Sequence, residues 1–485
     1  MLDTHCAIAI RLWLRCTYPV SNGGQLKRTI KEDLVKHRKI GTGLITLGVA
    51  ALVFVGGCSA ENMGSSEEAG NAPDATEEHT SGDSTTDDPI TEGSSGEPIR
   101  IGVLATLTGS FTVMGEDGVD GVNLAVEEFG GEIDGRPIEL FVESTDSTPA
   151  SAVSKARTLV ERDDVHLILG PLSGGEGDAI AEGANEWPDV TFVIAGSAAE
   201  NITMRGVADN VWRTSYSGQQ PTFALGDYAV NQGYERVAVV GEDYAFPHAQ
   251  VGGFMMTYCQ GPGEVIEKLW SPIGTADYSA ILGQIPSDTD ALFVALGGAD
   301  MVNFVNQAEE FGSLGNIPIL GGTVAVDATQ LASVGDKLEG VVSGSIMSGD
   351  LDTPEFKEFD DKFVELRGRA PSLFAENYYR GAKWALLALE EIGSDIEDQA
   401  AFRDALQNVS FEAPASFVSF DEFHNVVTDT YLNVVADVNG EWRNTVLETY
   451  PEVSQFWTFD PDWFQSQPPF SRDFPADCES VRVTE

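Results

Sequence analysis

Residues 99–445 read as an α/β fold of two doubly wound, parallel-sheet lobes joined by a hinge that the chain crosses three times. Three observations predict it. Short, continuously apolar runs alternate with longer amphipathic segments, the pattern of parallel strands covered on both faces by helices. The alternation restarts after Gln219 and Gln220, which gives two sheets rather than one. The segments after residue 349 hold too few strands for a third sheet, so they must complete the first two and make both lobes discontinuous.

In the first lobe Ile99–Leu107, Pro137–Glu143, Val165–Gly170 and Val190–Ala195 are the expected strands. A linking helix over Gly118–Gly130 places Val119, Val122, Leu124, Ala125, Val126 and Phe129 inward and Glu127 and Glu128 in water, and Gly130-Gly131 ends it. Strands of the second lobe are expected at Val237–Val240, Val265–Leu269, Ala291–Leu296, Ile317–Leu320 and Gly340–Ile346. Glu355–Arg367, Phe374–Ile392 and Ala400–Gln407 read as helices, and Ser416–Phe420 and Thr430–Ala436 as strands. Crossings near Ser215–Ser217, Met347–Gly349 and Ala413–Pro414 form the hinge. The expected division is 99–216 plus 349–412 for lobe 1, 217–348 plus 413–445 for lobe 2, and an aromatic extension at 446–485.

The chain has 485 residues, with 28 Lys+Arg against 77 Asp+Glu, a net charge of -49, and five cysteines. A surface this negative repels phosphate backbones, so no nucleic-acid partner is expected. The acid excess is spread along the chain and reads as a solubility trait. It marks no single site.

Residues 1–57 read as a signal region. Lys36, His37, Arg38 and Lys39 precede an uncharged apolar run, Ile40–Gly57, in the order of a secretory signal. The natural chain is expected to begin near Leu34 or Val35. Val55-Gly56-Gly57-Cys58 resembles a lipobox, which implies cleavage, lipidation of Cys58 and anchoring on the outer face of the cytoplasmic membrane; a single uncleaved membrane helix is the alternative. Residues 58–98 hold no Lys or Arg, are rich in acids, Ser, Thr and Gly, and cannot bury enough apolar surface to fold, so they read as an extended tether.

Little in the body points to covalent chemistry. His166, His248 and His424 are too scattered for a metal site, and neither a metal nor a cofactor is expected. Cys259 and Cys478, in an exported chain, favour a disulfide over two free thiols. Two glycine-rich stretches, Gly170–Glu176 and Gly196–Ala199, each follow a predicted strand and open a predicted helix. Neither has the lysine of a phosphate-binding loop. Bare backbone N–H groups at a helix start suit a carboxylate or another anion, although tight strand-to-helix turns would look the same.

Ile101–Phe111, with Gly115, Gly121 and Ala125, resembles the branched-chain amino acid and amide family of transporter-associated solute-binding proteins, the leucine-binding-protein family. The likeness continues through Gly135–Ile138, Gly170–Ser173, Ala195–Ala198, Arg213-Thr214, Gln220 and Glu242–Phe246, and spans about Ile99 to Asn439. It implies the type I periplasmic-binding architecture and a protein that is not an enzyme. Such a protein captures a small solute, an amino acid, an amide or a small carboxylic acid, by hinge closure and delivers it to an ABC permease powered by separate ATPase subunits.

The resemblance also implies site residues. The ligand carboxylate is held by the loops at Ser173, Gly174 and Gly175 and at Gly196, Ser197 and Ala198. Phe111 covers the ligand from lobe 1 and Phe246 closes over it from lobe 2, with Tyr244 beside it as a further ligand-binding residue. Thr323 stands where amino-acid binders carry the glutamate that receives the ammonium, and Ala299 replaces a tyrosine. A buried ammonium needs an acid, so either the ligand lacks that charge or Asp243, Asp300 or another acid supplies the contact. A ligand-sensing receptor domain feeding a signalling partner is the alternative function; a secreted hydrolase would need a nucleophile beside a base, and no such motif is present. The tail aromatics Trp442, Phe456, Trp457, Phe459, Trp463, Phe464 and Phe470 are expected to pack back on the body, with permease docking as the rival role.

Overall fold

The computed structural model describes residues 96–483 apart from 207, 313 and 316. The signal region, Cys58 and the tether as far as residue 95 lie outside the described residues.

The first sheet is built from β1 (Ile99–Thr106), β2 (Glu132–Ile133), β3 (Arg136–Thr145), β4 (Leu167–Leu169), β5 (Thr191–Ile194) and β6 (Val211–Arg213). Its order is β2-β3-β1-β4-β5-β6, parallel except for the short β2-β3 pair. Val103, Leu169 and Val193 lie fully buried under helix Leu373–Glu391, which adds Ala375, Tyr378, Trp384 and Leu389 to the same core. A segment far along the chain thus completes the first lobe.

The second sheet contains β7 (Arg236–Glu242), β8 (Glu264–Ser271), β9 (Ala291–Ala295), β10 (Ile319–Gly321), β11 (Val342–Ser345), β12 (Phe411–Glu412), β13 (Phe417–Phe420), β14 (Val426–Val438) and β15 (Glu441–Val453). Strands β7 to β11 are parallel, whereas β11 to β14 and β14 to β15 pair antiparallel. The sheet is therefore mixed, with an antiparallel wing. The boundary expected at residue 446 falls inside β15, so the second lobe continues to Val453.

Two local differences from the sequence reading have plain causes. The helix expected from Gly118 begins at Thr112. Its glycines serve close packing rather than a loop: a Cβ on Gly115 would sit 1.9 Å from the Thr106 carbonyl, and one on Gly121 would sit 2.1 Å from that of Ala375. Helix Ala245–Tyr258 is buried almost all round. One side covers the second sheet, and Phe470 of the extension lies on the other, with its ring where a Gly252 Cβ would fall. A helix apolar on every face needs such a double cover. Cys259 and Cys478 are joined by a disulfide, and Phe456, Phe464, Phe470 and Val481 share the second-lobe core with Phe223 and Phe254.

Candidate functional site

Strand β4 runs into the loop Gly170–Ser173, where Ser173 caps helix Gly174–Gly183. Its hydroxyl accepts from the Glu176 N–H at 3.4 Å, and the Glu176 carboxylate accepts from the Ser173 N–H at 3.0 Å. The reciprocal cap fixes the helix start and leaves the first-turn N–H groups of Gly174 and Gly175 without an intrahelical acceptor. Strand β5 delivers Gly196 and Ala198 to the same point. Ligands of open α/β sheets bind beyond the strand ends where these two loops meet.

Opposite, β7 runs into Tyr244 and helix Ala245–Tyr258. The lobes touch here: a Cβ on Gly174 would lie 2.8 Å from the Phe246 backbone nitrogen. Between them is a small, tightly closed cavity, with room for about one water, lined by Phe111, Met114, Leu172, Gly174, Gly196, Ala198, Tyr216, Tyr244, Phe246, Val324 and Phe374. The ring centroids of Phe111 and Tyr244, of Tyr244 and Phe246, and of Tyr216 and Phe246 are each 6.3 Å apart. No acidic side chain lines the cavity.

Six of the expected site residues meet here: Phe111, Gly174, Gly196, Ala198, Tyr244 and Phe246. The other five do not line it. The Ser173 hydroxyl is committed to the cap and to the Ser147 carbonyl at 3.1 Å. Gly175 is half-buried and faces Pro149. Ser197 turns behind the loop, its N–H donating to the Pro171 carbonyl at 2.8 Å. Ala299 is exposed at the cleft mouth, and its N–H reaches across the seam to the Ser110 carbonyl at 3.4 Å. Thr323 accepts from Gln250 Nε2 at 2.7 Å, meets the Tyr216 hydroxyl, and lines a neighbouring cavity instead.

The acids considered for an ammonium are also elsewhere. Asp243 pairs with Arg472 and lies 3.0 Å from His248 Nε2. Asp300 accepts from the Gly274 N–H at 2.7 Å and shares a buried site with Glu242. Burial, and then the Asp300 charge, pushes the Glu242 carboxyl well above its ordinary range; burial raises Asp300. His166 accepts from the Arg100 N–H, and His424 bonds the Val211 carbonyl, so both are structural. Among the described residues no cluster of His, Cys, Asp and Glu could hold a metal ion.

Met114, Leu172, Tyr216, Val324 and Phe374 were not singled out by the sequence. Met114 lies one helical turn from Phe111, a spacing that could have found it. Tyr216 and Phe374 carry no local signal, because only the tertiary fold brings the first crossover and helix Leu373–Glu391 to the cleft.

The profile described as periplasmic binding protein matches residues 98–439. The chain belongs to the periplasmic binding protein family. A Leu/Ile/Val-binding protein homolog of Brucella melitensis is 22% identical over 360 residues, covering 73% of this chain and 91% of the relative. The structure of an ABC transporter substrate-binding protein from Sphaerobacter thermophilus superposes with a TM-score of 0.68 at 32% identity, covering 74% of this chain and 99% of the other. A solute-binding protein from Rhodopseudomonas palustris, solved with 3,4-dihydroxybenzoic acid, has a TM-score of 0.70 at 25% identity, covering 74% and 98%. This periplasmic binding protein is the substrate-binding component of an ABC transporter, with the type I architecture, and not an enzyme. Its place is outside the cytoplasm. Among the described residues no helix is long and apolar enough to cross a membrane.

Proposed function

We propose that this binding protein captures a small carboxylate with an apolar or aromatic body. The observation that carries the reading is the cavity lining: aromatic and aliphatic side chains with no acid, and the start of helix Gly174–Gly183 at one end. The orphan N–H groups and the helix dipole receive the carboxylate, and Phe111, Tyr216, Tyr244, Phe246 and Phe374 enclose the body. An α-ammonium would be buried without an acid partner, which disfavours an amino acid. The dihydroxybenzoate bound by the Rhodopseudomonas palustris protein agrees in kind.

A thermal-shift series with benzoate, hydroxybenzoates, plain aliphatic acids, leucine, isoleucine and valine tests it. At a hundredfold excess over Kd a solute stabilises by about 2.7 kcal/mol, so the aromatic or aliphatic acids should raise Tm clearly. A rise with leucine, isoleucine or valine alone would replace this reading with the one that the names of the curated relatives favour.

The Val55–Cys58 sequence supports lipid anchoring as part of the same proposal. Cys58→Ala should then move the protein from the membrane fraction to the soluble one, and unchanged fractionation would count against the anchor.

A further inference from the structure

Residues 454–483 lie outside the family match and belong to neither sheet. They hold on to both lobes. On the second lobe the Cys259–Cys478 disulfide fixes them to the end of helix Ala245–Tyr258. Beside it Gln260 Nε2 donates to the Val481 carbonyl at 3.0 Å and Arg482 Nε to the Cys259 carbonyl at 2.9 Å. Phe464 and Phe470 are buried in that lobe's core.

On the first lobe the attachment is the segment Glu200–Arg205, between β5 and β6, in which Glu200, Ile202, Thr203 and Met204 are buried. Arg205 Nε donates to the Gln465 carbonyl at 3.1 Å, and its Nη2 to the carbonyls of Gln467 at 3.1 Å and Phe464 at 3.5 Å. The Glu200 carboxylate accepts from the Phe470 N–H at 2.6 Å and from Arg205 Nη1 at 2.8 Å. One ion pair thus holds four backbone groups of the extension. Near the hinge, Gln455 adds contacts to Thr203 and Arg213 of the first lobe and to Gln219 beyond the first crossover.

We propose that residues 454–483 are a covalently anchored strap that limits how far the two lobes open, with Glu200 and Arg205 as the positioning residues on the first lobe. The three crossovers alone leave the opening angle to the hinge. A strap fixed on both sides adds a tether outside it, so full opening must break the Glu200–Arg205 attachments while the disulfide keeps the other end in place. By narrowing the open ensemble it raises the fraction ready to close on a solute, which strengthens apparent affinity without touching the solute. The argument uses the two-lobed fold and the strap contacts, so it stands whatever the solute is.

Small-angle scattering of the protein without solute tests it, alongside Tm. Arg205→Gln, Glu200→Gln, thiol reduction and the Cys259→Ser/Cys478→Ser pair should each increase the radius of gyration relative to the oxidised parent. Arg205→Gln leaves the disulfide and the second-lobe packing intact but strips the buried Glu200 of its cation, so its increase should come with a fall in Tm that the Glu200→Gln/Arg205→Gln pair, with no buried charge left, largely recovers while the radius stays raised. A radius of gyration unchanged in Arg205→Gln, in that pair and in the reduced protein would reduce the segment to a cover for helix Ala245–Tyr258 and overturn the proposal.

Discussion

Asp178 shows how one side chain couples this fold to pH. It sits on helix Gly174–Gly183, and one carboxylate oxygen is buried without a hydrogen-bond partner. Burial pushes its pKa up to about 7, the nearby Arg213 charge opposing and Glu182 and Glu200 adding to the rise. Between roughly pH 4 and 7 the folded protein therefore keeps a proton that the unfolded chain has released, so this residue's contribution to stability falls as pH rises through that window. Asp178→Asn should remove the effect, and the Tm of the variant minus that of the parent should climb from pH 4 to pH 8; a difference flat with pH would refute the assignment. Asp178 carries no sequence signal, since its environment comes from β6 and the loop before it. Of the residues that line the candidate cavity, those in local motifs were legible: the glycine-rich turns and Phe111 sit in short stretches whose geometry follows from the strand-to-helix switch. Ser173 and Ser197 were expected as ligand donors from the resemblance, but the helix cap claims the Ser173 hydroxyl and the Gly174 carbonyl, 3.5 Å away, takes that of Ser197.

At the scale of elements, the parallel strands that are short apolar runs were legible, and the predicted bounds of β1, β5 and β9 lie within a residue or so of those found, whereas the three-residue β6 was missed because Val211–Arg213 is too short to make a run. Strand β15 was missed too. Only Val453 of it is buried, and Glu448, Thr449 and Glu452 are exposed, so it lacks the apolar run that marks a buried strand. The signal that could have found it is Asn439-Gly440, two residues with positive φ (57° and 93°) that join β14 to β15 in the tight hairpin such a pair favours. The extension illustrates the same limit from the other side. Its aromatics demanded burial, but which surface they cover is set by the apolar outer face of helix Ala245–Tyr258, a property visible only once both elements are placed.

At the scale of the whole molecule, function rests on two lobes that must meet closely when a solute is held. The described arrangement is closed, and at the cleft mouth its seam is made of backbone. The Ala299 N–H reaches the Ser110 carbonyl, and Gly298 faces the same oxygen. A Cβ on Gly298 would lie 2.4 Å from the Ser110 carbonyl oxygen and 3.0 Å from the Phe111 ring, a contact that exists only when the lobes are together. Gly298→Ala should therefore oppose closure while leaving both lobes folded. The substitution also carries a local cost, because Gly298 has φ +53°, a conformation that costs an L-residue about 1–2 kcal/mol. Gly440→Ala supplies the control, since Gly440 has φ +93° in a hairpin turn where an added Cβ meets nothing. Both variants should lose a few degrees of Tm, ~2–4 °C per kcal/mol for a lobe-sized unit. Only Gly298→Ala should also lose solute affinity, by about tenfold or more if closure is opposed by about 1.4 kcal/mol, so that it needs correspondingly more solute to reach the closed radius of gyration. Equal affinities in the two variants would mean that closure tolerates the added methyl, and that the solute is held without the Ser110–Gly298 seam.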